Sequence, residues 1–358
     1  SSLTSRQIEA FSSAQVGAIT SDSFSALSSA QIRTFTGAQL LGLTQTQGSM
    51  LTSTNIPGLT SQAIGSIPNS AFSTFTADEL AALSSLQLLG LTTAQVSAVG
   101  VASFTSASIK GLSVAAIAGL STVQLQALTT LNIKGLTAAQ LQAIATSKIS
   151  SIEPEDISAL SSVQLGSLSA AQVDELLTEQ LAALDSSTIR GMTTAQLAVL
   201  STANIVALDS ADLPGLGSVQ LGSLSTSQID AFSNAQVRAL TSASIVGLNA
   251  QQVAALGVVS ATGLTTAQVG ALSTAEINQL SSALTSIQAL GLSTAQVSAI
   301  GVSSFNSVSI KGLTSAAIAG LSSTQMQAFS SDNIRGLTAG QLQAIGTAKI
   351  TALETEDV

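Results

Sequence analysis

Six carboxylates are the side chains of this sequence best suited to chemistry. Glu153, Glu155 and Asp156 lie in "KISSIEPEDI"; Glu354, Glu356 and Asp357 lie in "KITALETEDV". Calcium takes carboxylate oxygens, so each trio is a candidate calcium site. The same residues also suit a helix start. Glu153 would occupy the cap, Pro154 the first helical position and Asp156 the capping-box position, where the dipole and free N–H groups favour acids. The second reading asks for no ligand, and no D-x-[DN]-x-[DN]-G loop supports calcium elsewhere.

Ser108 and Lys110, repeated as Ser309 and Lys311, could form a nucleophile and its base. That chemistry needs mutual reach and an oxyanion hole. In so serine-rich a chain such pairs arise by chance, and Lys110 falls on an outer helix face. The chain has no His and no Cys, which excludes imidazole and thiolate catalysis and metal binding through those groups. The expectation is a protein that is not an enzyme and takes no cofactor.

The 358 residues are 45% apolar and only 8% charged, against roughly 25% charged in an ordinary domain. The surface must therefore be mostly Ser, Thr, Gln and Asn. Net charge is −9 and basic residues are unclustered, so nucleic acid is not an expected partner. Ser, Thr or Gln interrupts every apolar run, so no membrane span is expected. The start, "SSLTSRQIEAF", has no signal-peptide core and begins within the repeat pattern, as expected of a piece of something longer or a mature product.

What positions these residues is a count of eight. One apolar residue recurs every eighth place from Leu3 through Phe11, Ile19 and Leu27 to Val99, from Phe104 to Leu280, and again after Leu292. "GVASF" and "GVSSF" read as five-residue insertions, and "SSALTSIQALG" as a longer spacer. The register thus breaks near 99–104, 280–292 and 300–305. The octad consensus is Leu, Ser/Thr, x, x, Gln, Ile/Val/Leu, x, Ala/Gly/Ser. A hydroxyl followed three residues later by Gln is a capping box, and the flanking aliphatics form a hydrophobic staple. In "LTTAQVGAL" the box is Thr265 with Gln268 and the staple is Leu264 with Val269.

Each octad therefore predicts one short capped helix and a corner. Helices this short do not stand alone, because nucleation outweighs their few bonds. Stacked octads sharing a core do, which gives an all-α, elongated solenoid over 1–358 as one continuous repeat array. A β-solenoid of two octads per coil is the alternative, but strands need apolar alternation that the five-and-three spacing lacks. Sparse charges suggest three octads per superhelical turn. Lys110 and Lys134 are 24 apart, as are Lys311 and Arg335, and Arg190 and Arg238 are 48 apart. Pro57 and Pro214 are expected to end their helices early, and the two insertions to be bends, lateral contacts or merely tolerated loops.

A longer repeat is also present. Residues 91–157 and 292–358 match at roughly two thirds of positions with an offset of 201. Such duplication favours a giant surface or filament protein.

The Leu-Ser/Thr-x-x-Gln/Glu-Leu unit resembles the short-helix superhelices of the mesothelin and stereocilin family, over most of the chain. The lack of Cys and of Asn-x-Ser/Thr sites departs from that secreted eukaryotic pattern. The acidic, Ser/Thr-rich, Cys-free repetition resembles giant repetitive bacterial surface adhesins and extracellular filaments. Either resemblance implies a cell-surface or matrix role without catalytic residues. The expected function is a filament subunit, spacer or adhesin stalk acting by self-association. The alternative is a binding module offering a repetitive hydroxyl face to glycan or ice, the latter requiring the β-solenoid.

Overall fold

A computed structural model describes residues 3–353, apart from the side chains of residues 258 and 259. Among the described residues every regular element is a short helix and there is no strand. The α-helices run from four residues, as in Ser29–Ile32, to seven, as in Thr93–Val99. The β-solenoid alternative is thereby set aside, and the ice reading loses the strand ladder it required.

The local cause is the one expected. Thr265 stands in extended conformation (φ −79°, ψ 161°) before helix Thr266–Ala271. Its hydroxyl accepts from the Gln268 N–H at 3.2 Å, while Gln268 Oε1 accepts from the Thr265 N–H at 2.6 Å. Leu264 and Val269 are both buried. The following octad repeats the arrangement with Ser273 and Glu276 before helix Thr274–Leu280. Burial of the first and sixth octad positions is the rule along the chain: Leu27 and Ile32, Leu136 and Leu141, Leu240 and Ile245.

The chain forms two compact units, 1–183 and 184–358, each a solenoid of these octads. Within the first, helix Ser13–Gly17 packs on Gly37–Leu40, and Val114–Ala118 on Ala138–Ala143. Within the second, Ala250–Ala255 packs on Thr274–Leu280. Every one of these pairs is separated by 24 residues, so one superhelical turn contains three octads.

Close approach between turns explains the small residue at the eighth position. A Cβ on Gly90 would lie 1.9 Å from the carbonyl oxygen of Ser61, one turn below. Only a glycine lets the two backbones meet there.

The two five-residue segments are not additions to the array. Val101 and Val302 are fully buried, and each takes the sixth-position place of an abbreviated octad, 99–103 or 300–304. Asn132 Nδ2 donates to the Val101 carbonyl across 31 residues, as Gln140 Nε2 does to that of Ile109. Gly100 (φ +78°) and Gly301 (φ +84°) turn the chain where a capped helix would otherwise begin. Three residues are lost from the turn, and the contact register shifts by three: Gly90 meets Ser61, but Gly111 meets Ser85. These segments belong to the core, which corrects their reading as inserted bends, lateral contacts or tolerated loops. The spacer after Leu280 resolves similarly. Residues 280–283 are a four-residue remnant, and Leu284 begins an ordinary octad with helix Ser286–Ala289 capped by Thr285.

Pro57 and Pro214 do not cut an α-helix short. They sit in single 3-10 turns, Ile56–Gly58 and Leu213–Gly215, which replace the α-helix of their octads. The same turn also forms without proline at Ile133–Gly135 and Ile310–Gly312.

Candidate functional site

The side chain that does most in this fold is the one at the fifth octad position. Its oxygen caps its own helix, and its nitrogen reaches the turn below. Gln39 Oε1 accepts from the Thr36 N–H at 2.8 Å; Gln39 Nε2 donates to the carbonyls of Ile8 at 2.9 Å and Phe11 at 2.8 Å. Gln140 treats Ile109 and Leu112 alike, and Gln236 does so with Ile205 and Leu208. These amides are buried, with Gln180 and Gln95 wholly inaccessible. Each joins one helix N-terminus to two carbonyls at the C-terminal end of the helix below; the first of them, as at Ile109, also accepts the backbone N–H three residues on.

Several substitutions at this position keep a donor to the turn below, whereas Ala63, Ala71, Ala116 and Ala317, buried at the same position, supply none. Ser260 Oγ donates to the Phe232 carbonyl at 2.7 Å. Lys148 Nζ donates to the Leu120 carbonyl at 2.7 Å, and Lys349 Nζ to that of Ala319 at 2.6 Å. An ammonium cannot accept the cap N–H. In both lysine octads the cap hydroxyl is gone as well, replaced by Ala145 and Gly346. Among the described residues no buried side-chain nitrogen or oxygen lacks a hydrogen-bond partner.

Acids at this position cannot donate once ionised. Asp156 is the buried case. Burial first, then the charges of Glu153 and Glu155, push its pKa up to about 6. Asp212 is also raised, by burial first and then by Asp209 and Asp185. Asp185, a cap residue, is held below the usual carboxylate range, chiefly by the Ser187 hydroxyl and the Thr188 N–H.

The structure therefore separates the candidate calcium ligands. Glu153 is the cap and Pro154 begins helix Pro154–Ser158, but Glu153 makes no side-chain cap bond and no capping box forms with Asp156. Glu153 and Glu155 are exposed while Asp156 is buried. No group of three or more carboxylates among the described residues is arranged to hold a metal ion. Glu354, Glu356 and Asp357 lie outside the described residues.

Ser108 and Lys110 are not brought together as a nucleophile and base. Ser108 is buried, and its Oγ accepts from the Thr105 N–H at 2.9 Å, while Lys110 is exposed. Ser309 serves Asn306 in the same way. Surface grooves between octads are sparse in ionisable groups. One of about 400 Å³, lined by residues including Pro214, Gln220 and Thr241, holds Arg190 alone. Among the described residues no helix is long and apolar enough to cross a membrane.

The link between turns was not read from the sequence. The Gln was assigned only its local capping role. A partial signal existed: its replacements at positions 132, 148, 260 and 349 are Asn, Lys, Ser and Lys, all hydrogen-bond donors, although alanine stands there at 63, 71, 116 and 317 and an acid at 79, 156, 212 and 276.

Comparison with known proteins gives the octads a counterpart. Residues 149–186, 176–210 and 205–242 each match the ALTTAQ repeat. Together these matches span 149–242, about a quarter of the chain. No curated protein matches. The matched stretch contains the same capped octads found on both sides of it, and the chain is a repeat protein, of repetitive structural type, similar over 149–242 to the ALTTAQ repeat.

Proposed function

We propose that this chain is a non-catalytic structural element of the cell surface or extracellular matrix, bacterial in origin, which works as a spacer, stalk or filament subunit by self-association. The supporting observation is the amide link between turns. Where the fifth position is Gln, its side chain satisfies backbone carbonyls of the turn below, so one octad is stacked on another by the same contact along the array. Low charge and abundant exposed Ser, Thr and Gln supply a uniform outer surface with little repulsion between molecules.

Sedimentation velocity and electron microscopy of the full chain at rising concentration test the proposal. Concentration-dependent dimers, fibres or sheets are expected. Discrete monomers at every attainable concentration would overturn the self-association.

A further inference from the structure

We propose that two copies of this chain pair antiparallel through one face of the first unit, the face carrying Lys110, Lys134, Glu155 and Glu179. This rests on the self-association reading above and names its surface. The octads beginning at Phe104, Leu128, Ile152 and Leu176 follow one another at 24-residue steps, which is one superhelical turn each. Helix Ser106–Ile109 packs on the 3-10 turn Ile133–Gly135, and helix Pro154–Ser158 packs on Thr178–Ala182. The flanking octads carry the same register across the middle step: Gln164 donates to Leu136, and Gln172 to Ile144, both 28 residues back.

Along this stack the exposed charges read Lys110, Lys134, Glu155, Glu179. Two positive turns are followed by two negative turns. Glu153, also exposed, adds to the negative half, and Asp156 points inward. Exposed Leu131 and Leu177 flank the charges, at 74% and 49% accessibility, and offer apolar area that would cover them.

The order plus, plus, minus, minus is self-complementary about a two-fold axis between the second and third turns. Lys134 then faces the partner's Glu155, and Lys110 faces the partner's Glu179. The symmetry repeats both contacts, giving four opposite-charge pairs in one closed interface. Parallel pairing in register would set like charges against each other. Parallel pairing staggered by two turns would match only half of the charges per contact and would leave an open-ended polymer.

Sedimentation velocity on the full chain at low salt tests the pairing. The wild type is expected to form a discrete dimer that dissociates in about 1 M salt, where the Debye length falls to about 3 Å. Lys134→Glu alone and Glu155→Lys alone are expected to abolish the dimer. The double variant Lys134→Glu/Glu155→Lys is expected to restore it, because opposite charges again meet across the axis. Circular dichroism identifies any variant that fails to fold. For such a variant, the reversal is repeated as Lys110→Glu and Glu179→Lys, which make the second contact. Single reversals that leave the dimer intact, a double variant no better than the singles, or open polymers in place of dimers would overturn this surface while leaving self-association standing. A wild type that stays monomeric throughout would overturn both.

Discussion

Gln172 donates its side-chain nitrogen to the carbonyl of Ile144, 28 residues earlier, at 2.8 Å, and to that of Leu141, also at 2.8 Å. Its oxygen accepts from the Ser169 N–H at 2.9 Å. One buried amide thus closes three backbone groups from two turns. Replacing it by Met, of similar size, takes this partner from the Ser169 N–H and the Ile144 carbonyl, while the Leu141 carbonyl keeps the Ile144 N–H. At about 1–3 kcal/mol for each of these two groups, Gln172→Met should cost about 2 kcal/mol or more. Gln15 caps Ser12 and is exposed. Gln15→Met should cost only about 1 kcal/mol, the worth of a cap. Denaturant titration compares them, and equal losses would refute the link between turns.

Glu79 and Glu276 occupy the fifth position as acids. They accept the cap N–H groups of Thr76 at 2.8 Å and Ser273 at 2.7 Å, but an ionised carboxylate has no proton for the turn below. Glu79→Gln and Glu276→Gln should each stabilise the protein. The added bond is worth about 1 kcal/mol and offsets a loss of about 0.5 kcal/mol in charge–dipole energy. A rise in melting temperature is expected; a fall in both variants would contradict it.

Asp156 gives the chain a pH dependence of definite sign. Its pKa is raised to about 6 in the folded protein from an ordinary 3.8. The folded state therefore holds this proton more tightly than the unfolded state. The associated stability is complete below the ordinary pKa and is lost as pH rises through about 6. Asp156→Asn should melt higher than the wild type at pH 7–8, and the gap should close towards about pH 4. A gap that is constant with pH would rule out this carboxyl as the source.

Two glycines should respond in opposite directions to alanine. At Gly90 the new Cβ would lie 1.9 Å from the Ser61 carbonyl oxygen. The two turns must separate, at about 1–3 kcal/mol or more. Gly340 lies within helix Ala339–Ala344, and its nearest neighbour would be 3.8 Å away. Gly340→Ala should stabilise by up to about 1 kcal/mol. Thermal melts of both variants check the pair, and destabilisation by Gly340→Ala would contradict the register.

The sequence made the local half of this structure legible. Thr265, Gln268, Leu264 and Val269 define a helix start by chemistry confined to six residues, and the structure has it. The 24-residue turn was visible in Lys110 and Lys134 because both stand at the seventh position. The second role of Gln268 was not visible, because its partners Val237 and Leu240 are 31 and 28 residues away and are backbone carbonyls, which no residue type marks. The abbreviated octads were misread for a related reason. Val101 keeps its place in the core, while Gly100 supplies by positive φ the turn that a Ser/Thr cap otherwise marks. Glu153, Glu155 and Asp156 fail as a cluster because position within the octad, not proximity in sequence, decides which side chain faces inward.

The central claim is that three octads make one turn, and paired spin labels test it most directly. The native chain has no cysteine, so labels attach only where they are introduced. Ala118, Lys134 and Gln142 are all exposed and all stand at the seventh octad position. In Ala118→Cys/Gln142→Cys the labelled sites are 24 residues apart on stacked helices, whose axes pack about 8–10 Å apart, and strong dipolar broadening is expected. In Ala118→Cys/Lys134→Cys the sites are 16 apart on different sides of the coil, and broadening should be weak. Strong broadening in the 16-residue pair and weak broadening in the 24-residue pair would mean two octads per turn and would contradict the account.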